Sequence, residues 1–378
     1  MQIAPRRVTV LLSTLVAVLL WVAGSTGVSG AVRRGVYLTP NGFRTPIYAM
    51  SLVQDASGAL GVSCAQLTQP EIDAARFGRR DSRAMLRSSP QAVIREAGAS
   101  FEITYSDPQG SGFNDSAQGA VRRRAMEAAA AAWSRVIQGT VTITINAVME
   151  ASEKSESGNT TLASAGPANF FLANNTALPS ALMWQMQGRR NPGEDVDIEV
   201  KVNPDINWEY ATDGVSARDK VSFVYTMIHE VGHGLGYVDS FDPETGKLRN
   251  DPIPFIYDTF VNRRSDTTRL VMNRPDHEIK DDLKSGELFF NGPAANDASL
   301  RSIRPGPMIK LYAPNPYEPG SSVAHVDYDT YADFKTGLMV PRDFGGGTDK
   351  IDTLTLGIMK DLGYQLVPNA VTARLPKN

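Results

Sequence analysis

The chain has 378 residues, 42% of them hydrophobic and 21% charged, a balance that supports folded domains and excludes global disorder. Its formal net charge is −3, so it lacks the basic excess that neutralises a phosphate backbone, and no nucleic-acid partner is expected. One cysteine, Cys64, excludes an internal disulfide framework and a zinc site of several thiolates, and only four histidines are present: His229, His233, His277 and His325.

The chain opens MQIAPRR, and an apolar run follows over residues 8–23. Arg6 and Arg7 form a positive n-region, and the run is shorter than the ~20 residues a spanning helix needs. The small residues after it, GSTGVSGA, suit a signal peptidase. Residues 1–30 therefore read as a signal peptide, and the protein as secreted or periplasmic, with no stable membrane insertion after cleavage. A single cysteine fits a bacterial exported chain.

Residues 31–98 read as a leader or propeptide. IYAMSLVQ and ALGVSCA are two strands around the turn DASG. The polar stretch 66–90, with Arg79 and Arg80 in its middle, reads as an exposed linker and a processing region.

From Phe101 the texture changes. FEITY is a strand, DPQGSGFNDS a loop, and residues 120–137 a helix by propensity, its Arg122, Arg123 and Arg124 forming a solvated face. VTITINA (141–147) and VDIEVKV (196–202) alternate apolar and polar residues with period two, as half-buried strands do. This order argues for an α+β or α/β layer.

Residues 216–236 read SARDKVSFVYTMIHEVGHGLG. Ser216 and Asp219 have capping-box spacing, and Val221, Val224, Ile228, Val231 and Leu235 make one apolar stripe. Gly236 is placed to end the helix. On it lies His229-Glu230-x-x-His233. Residues four apart share a helix face, so two imidazoles can meet one zinc ion while Glu230 reaches a water on it as general base. That is the chemistry of peptide hydrolysis.

A catalytic zinc takes three protein ligands and keeps one position for water. Two residues compete for the third place. Asp239 completes H-E-x-x-H-x-x-G-x-x-D, where the metzincin pattern has His. His325 stands in SSVAHVDYDTYADFKTGLMVP. His277 lies in the charged stretch RPDHEIKDD and reads as a surface residue, and Glu244, in FDPETGK, sits in turn chemistry and gives a thermolysin-like reading little support.

HEVGHGLGY, then SSVAHVDYD and GLMVP, then DTLTLGIMKDLGY resemble the leishmanolysin-type metzincin peptidases, and more closely their bacterial secreted relatives. The resemblance spans residues 99–366. It implies an α+β metzincin-like zincin domain over 99–370, with a twisted sheet, an active-site helix and a Met-turn. It implies His325 as third ligand after an insertion at 237–324, Met339 as the Met-turn residue, and a closing helix from Asp352 to Gly363. VDIEVKV is a candidate for the edge strand beside the cleft, where an extended peptide could add. Cys64 has two readings: an ordinary strand cysteine, or, by resemblance to metzincin zymogens, a latency thiol on the zinc.

The chain departs from leishmanolysin itself in having no disulfides and, at VTARLPKN, no apolar tail for a lipid anchor. Pro341 stands where some metzincins carry a tyrosine, so no such role is assigned. The expected activity is that of a secreted zinc endopeptidase acting on a protein or peptide substrate. The alternatives are an exported binding or adhesion protein with a structural zinc, and a cell-wall peptide amidase.

Overall fold

The structure is a computed structural model. It describes residues 36–38, 44–46, 48–54, 60–66, 91–151, 160–212, 219–264, 266–302, 304–331, 337–343, 350–368 and 370. The expected signal peptide, the DASG turn, the linker at 67–90 and the last eight residues lie outside them. Among the described residues, no helix is long and apolar enough to cross a membrane.

The architecture is mixed α+β, built on an eight-stranded sheet. Two strands form where the sequence predicts them, β1 (Tyr48–Gln54) and β2 (Leu60–Gln66). They are followed by β3 (Gln91–Ile94), β4 (Phe101–Tyr105), β5 (Ile143–Met149), β6 (Thr160–Pro167), β7 (Ile198–Val202) and β8 (Arg342–Asp343). Their spatial order is β8-β2-β1-β6-β7-β5-β4-β3. The β4–β5 and β5–β7 pairs are parallel; the other pairs are antiparallel. In β5 the alternation works as the sequence indicates: Ile143, Ile145, Ala147 and Met149 are buried and the residues between them are half-buried.

One expectation fails here. VDIEVKV was to be an edge strand, yet β7 lies inside the sheet, paired with β5 on one side and β6 on the other. The reason is β6, a strand the Ala- and Gly-containing sequence at 160–167 signals weakly, which takes the flank of β7. Beyond β6 comes β1 of the leader.

Two helices cover the inner face. Helix α1 (Gly119–Ser134) buries Ala125, Met126, Ala129, Ala130, Ala132 and Trp133, small side chains that permit close approach around one large ring. The Trp133 indole N–H donates to the Ile228 carbonyl at 2.9 Å, tying α1 to helix α2 (Phe223–Gly234). The arginine run is not simply solvated. Arg122 and Arg123 are half-buried and donate to the carbonyls of Gly112 and Phe113, so they hold the preceding loop.

Helix α2 begins later than its stripe suggests. Val221 and Ser222 pair as a strand with Trp208 and Glu209, which keeps the backbone extended up to Ser222. Ser222, not Ser216, is the N-cap; its hydroxyl accepts from the Tyr225 amide at 3.2 Å. The far end is as expected. Gly236 takes φ +111°, its amide bonds to the His233 carbonyl, and that of Tyr237 bonds to Gly232. This paired closure is the Schellman pattern.

Residues 237–324 form structure of their own, including a four-stranded antiparallel sheet ordered Asp266–Leu270, Val261–Arg263, Leu288–Phe290, Ile309–Lys310. Helix α3 (Pro293–Leu300) packs on the closing helix α4 (Thr353–Leu362), where a Cβ on Gly357 would come within 2.9 Å of the Ala295 Cα. Asp352 caps α4, accepting from the amides of Leu354 and Thr355, and also from Leu338 N at 2.8 Å. Asp352→Ala removes the cap and orphans the Leu338 amide. The expected loss is about 2 kcal/mol or more of stability, read as a lower urea midpoint; an unchanged midpoint would contradict it.

Candidate metal centre

Four donors from three places in the chain converge in the interior: Cys64 on β2, His229 and His233 on α2, and His325 in the segment after residue 324. Their ligand atoms all lie within 4.8 Å of one another, and all four side chains are buried. The two helical imidazoles are one turn apart, as the spacing requires. His325 is brought up by backbone pairing: its carbonyl accepts from Tyr312 N at 2.9 Å, and the next amide, Val326 N, bonds to the Met339 carbonyl at 2.9 Å.

The hydrogen bonds of the three rings fix their tautomers. Each Nδ1 faces a backbone carbonyl: Leu338 at 2.8 Å for His229, Tyr237 at 2.7 Å for His233, Ser321 at 3.0 Å for His325. A carbonyl only accepts, so each Nδ1 carries the proton and each Nε2 presents a lone pair. Those lone pairs face one another, with His229 Nε2 3.1 Å from that of His233 and 3.3 Å from that of His325. Three neutral nitrogens so placed repel unless a cation sits among them. A tetrahedral zinc with Zn–N bonds of ~2.0–2.1 Å separates its nitrogens by about 3.3 Å. The donor set therefore fits a divalent metal ion, and the carbonyls serve as the orienting partners that metal-binding histidines require.

Electrostatics favour the same occupant. Burial lowers the His229 pKa to about 4 and holds His233 and His325 well below their ordinary value, with the neighbouring imidazoles adding to the effect for the latter two. All three are thus in the neutral, metal-binding form. Burial, and then the Glu230 carboxylate, push the Cys64 thiol well above its usual range. The Cys64 sulfur lies 3.1 Å from His229 Nε2. A cation among these groups would favour the thiolate.

Glu230 is fully buried beside the donors. Its Oε1 accepts from the Met50 amide of β1 at 3.1 Å, while Oε2 has no hydrogen-bond partner among the described residues. Burial pushes its carboxyl well above the ordinary range. Met339 is fully buried, its sulfur 3.0 Å from where a Cβ on Gly232 would sit, so the thioether packs on the floor of α2 between the two ligands.

Of the competing third ligands, the structure brings His325 into the group and leaves Asp239 out of it. Asp239 is buried and caps a turn, its Oδ1 accepting from Phe241 N at 2.9 Å. His277 is exposed on the helix Asp276–Asp282, and Glu244 is exposed in a turn closed by Asp242. Sequence reasoning missed the backbone groups of Met50, Tyr237, Ser321, Leu338 and Pro341. Main-chain partners carry no side-chain signature; only Leu338, adjacent to Met339, has a hint of position.

The profile of the SPBPB7E8-like family, an uncharacterised family, matches residues 102–292, a span that holds His229, Glu230 and His233 and stops short of His325 and Met339. No curated protein and no solved structure matches the chain. With half of its length matched by that profile, the chain belongs to the SPBPB7E8-like family.

Proposed function

We propose that this protein is an exported zinc endopeptidase of the metzincin kind, related to the leishmanolysin type, and that the structure is its latent form. The observation that carries the reading is the pairing of three convergent Nε2 atoms with a buried Glu230 whose Oε2 is unpartnered. A purely structural metal site has no use for a desolvated carboxylate on its rim. In a hydrolytic site that group has a task.

His229, His233 and His325 would hold the ion, and zinc, when bound, supplies Lewis-acid polarisation of a water molecule and of the scissile carbonyl. Glu230 then accepts a proton from the attacking water at Oε2. The water oxygen bonds to the carbonyl carbon, the C–N bond breaks, and Glu230 returns the proton to the departing amine nitrogen. The Leu338, Tyr237 and Ser321 carbonyls keep the three rings in the required tautomer throughout. The elevated proton affinity that burial gives Glu230 suits a group that must take and release a proton.

Cys64 favours a second reading. Three imidazoles and one thiolate make a closed four-ligand set, the kind found at structural zinc sites. That would make the chain an exported binding or adhesion protein. A cell-wall peptide amidase is a third reading, with the same chemistry and a different cleft. Cys64→Ser separates the first two. For a latent peptidase, the Cys64→Ser protein keeps near-stoichiometric metal on its three imidazoles and, once the hairpin is displaced, cleaves casein about 10-fold or more faster than the uncut wild type. For a structural site, the same substitution lowers metal content and thermal stability and yields no cleavage.

A further inference from the structure

The leader hairpin does more than deliver a thiol. β1 joins the sheet on β6, in antiparallel register from Tyr48 opposite Ala165 to Leu52 opposite Thr160. The register shifts between Met50 and Ser51, and at that place the Met50 amide donates to Glu230. The other strand, β2, pairs with β8: Ser63 stands opposite Arg342, and Val62 opposite Asp343. The Cys64 amide donates to the Pro341 carbonyl at 2.7 Å, and the Ser321 hydroxyl donates to the Cys64 carbonyl. Met50, Ser51, Val62 and Cys64 are all buried. The hairpin thus sits inside the sheet between β6 on one side and the two-residue strand β8 on the other, and its buried apolar residues belong to the main core.

We propose that main-chain pairing on these two strands, and not the Cys64 thiol, holds the hairpin in place, so that cutting the leader behind it leaves the site closed. This rests on the peptidase reading for its consequence, though not for its mechanics. A segment bound along two edges dissociates only when both ladders open together, because either one keeps the other at high effective concentration. Removing β1 would bare the main-chain groups of β6 beside Glu230, and removing β2 would bare those of β8, so release leaves two unpaired edges at once. A single processing cut then yields a nicked complex, and activation needs a second event: displacement of the strand by a competing extended segment, or cleavage within the hairpin itself.

The test places a recognition sequence for a specific protease across Arg79 and Arg80 in the full chain, in wild-type and Cys64→Ser backgrounds. After complete cutting, native size-exclusion with intact-mass detection reads whether the two pieces elute together. Hydrogen exchange reads the amides of β1 and β2. The expected result is co-elution and retained amide protection in both backgrounds, with separation only in denaturant. Release of the N-terminal piece on cutting, in either background, overturns the proposal; release confined to Cys64→Ser would assign retention to the thiol. Casein cleavage by the same samples answers the other question. If the pieces co-elute and no form, including one stripped of the hairpin and refolded with zinc, cleaves peptide, the peptidase reading fails while retention stands.

Discussion

Glu230→Gln keeps fold and metal and loses about 10²–10⁴-fold in peptide cleavage, the usual cost of removing a general base. The measurement belongs in protein stripped of the hairpin and refolded with zinc, where neither the thiol nor the paired strand would cover the site. Glutamine has the shape of glutamate, and its Oε1 can still accept from the Met50 amide. What it cannot do is take a proton from water. Burial opposes the charged form of Glu230, which the neutral amide relieves, while its NH₂ group meets no acceptor at the Oε2 position, so thermal stability should change little. Elemental analysis should show unchanged zinc, because Glu230 is not among the four convergent donors. Casein cleavage at the parent rate would take the catalytic role away from this residue.

His325→Ala purifies largely without zinc and without activity, while Asp239→Ala retains near-stoichiometric metal. His325 supplies one of three lone pairs aimed at a common point, 3.3 Å from that of His229. Its removal leaves two helical imidazoles and Cys64. Loss of a true ligand cuts affinity severely, whereas loss of a supporting group costs only ~10–100-fold. Asp239 is at most such a group: its carboxylate serves the Phe241 amide, and it also raises the pKa of the neighbouring Asp258. Its removal should relieve that repulsion and loosen a turn. Zinc kept in His325→Ala and lost in Asp239→Ala would move the ligand role to Asp239 and weaken the leishmanolysin-like reading of the C-terminal half.

The centre was legible where chemistry and helical period coincide. His229, Glu230 and His233 could be placed because a four-residue spacing and one helix fix their relation without any knowledge of the fold. His325 and Met339 could be placed only by resemblance, since nothing local says that a loop 96 residues further on returns to α2. The edge-strand expectation failed because period two reports burial on one face and says nothing of neighbours: β7 has the alternation of a half-exposed strand and still has a partner on each side. The start of α2 was misjudged because the apolar stripe runs on through Val221, which is buried as a strand residue and not as a helical one. The leader strands were found from their turn and composition. That they complete the main sheet, and that Met50 reaches Glu230, are long-range pairings which no local pattern encodes.

The carbonyl that orients His229 belongs to Leu338, and the Leu338 amide is in turn held by Asp352. The first imidazole of the centre is therefore aimed by chain that is made more than a hundred residues after it, and the thiol beside it comes from 165 residues before. Contacts so distant in sequence form late, because the entropy of closing such loops is lost before they return anything. During synthesis the α2 helix and the Tyr237 carbonyl that orients His233 can form as soon as they appear, but the His229 ring has no fixed tautomer or orientation until α4 has docked and been capped. An ion at this centre would not be expected to act as a folding nucleus, as it does in small zinc-dependent domains, but to bind late, to a chain that has already found its topology. Metal content is thereby an expected readout of complete folding: a chain truncated between residues 234 and 351 should emerge with both motif histidines present and no competent site to show for them.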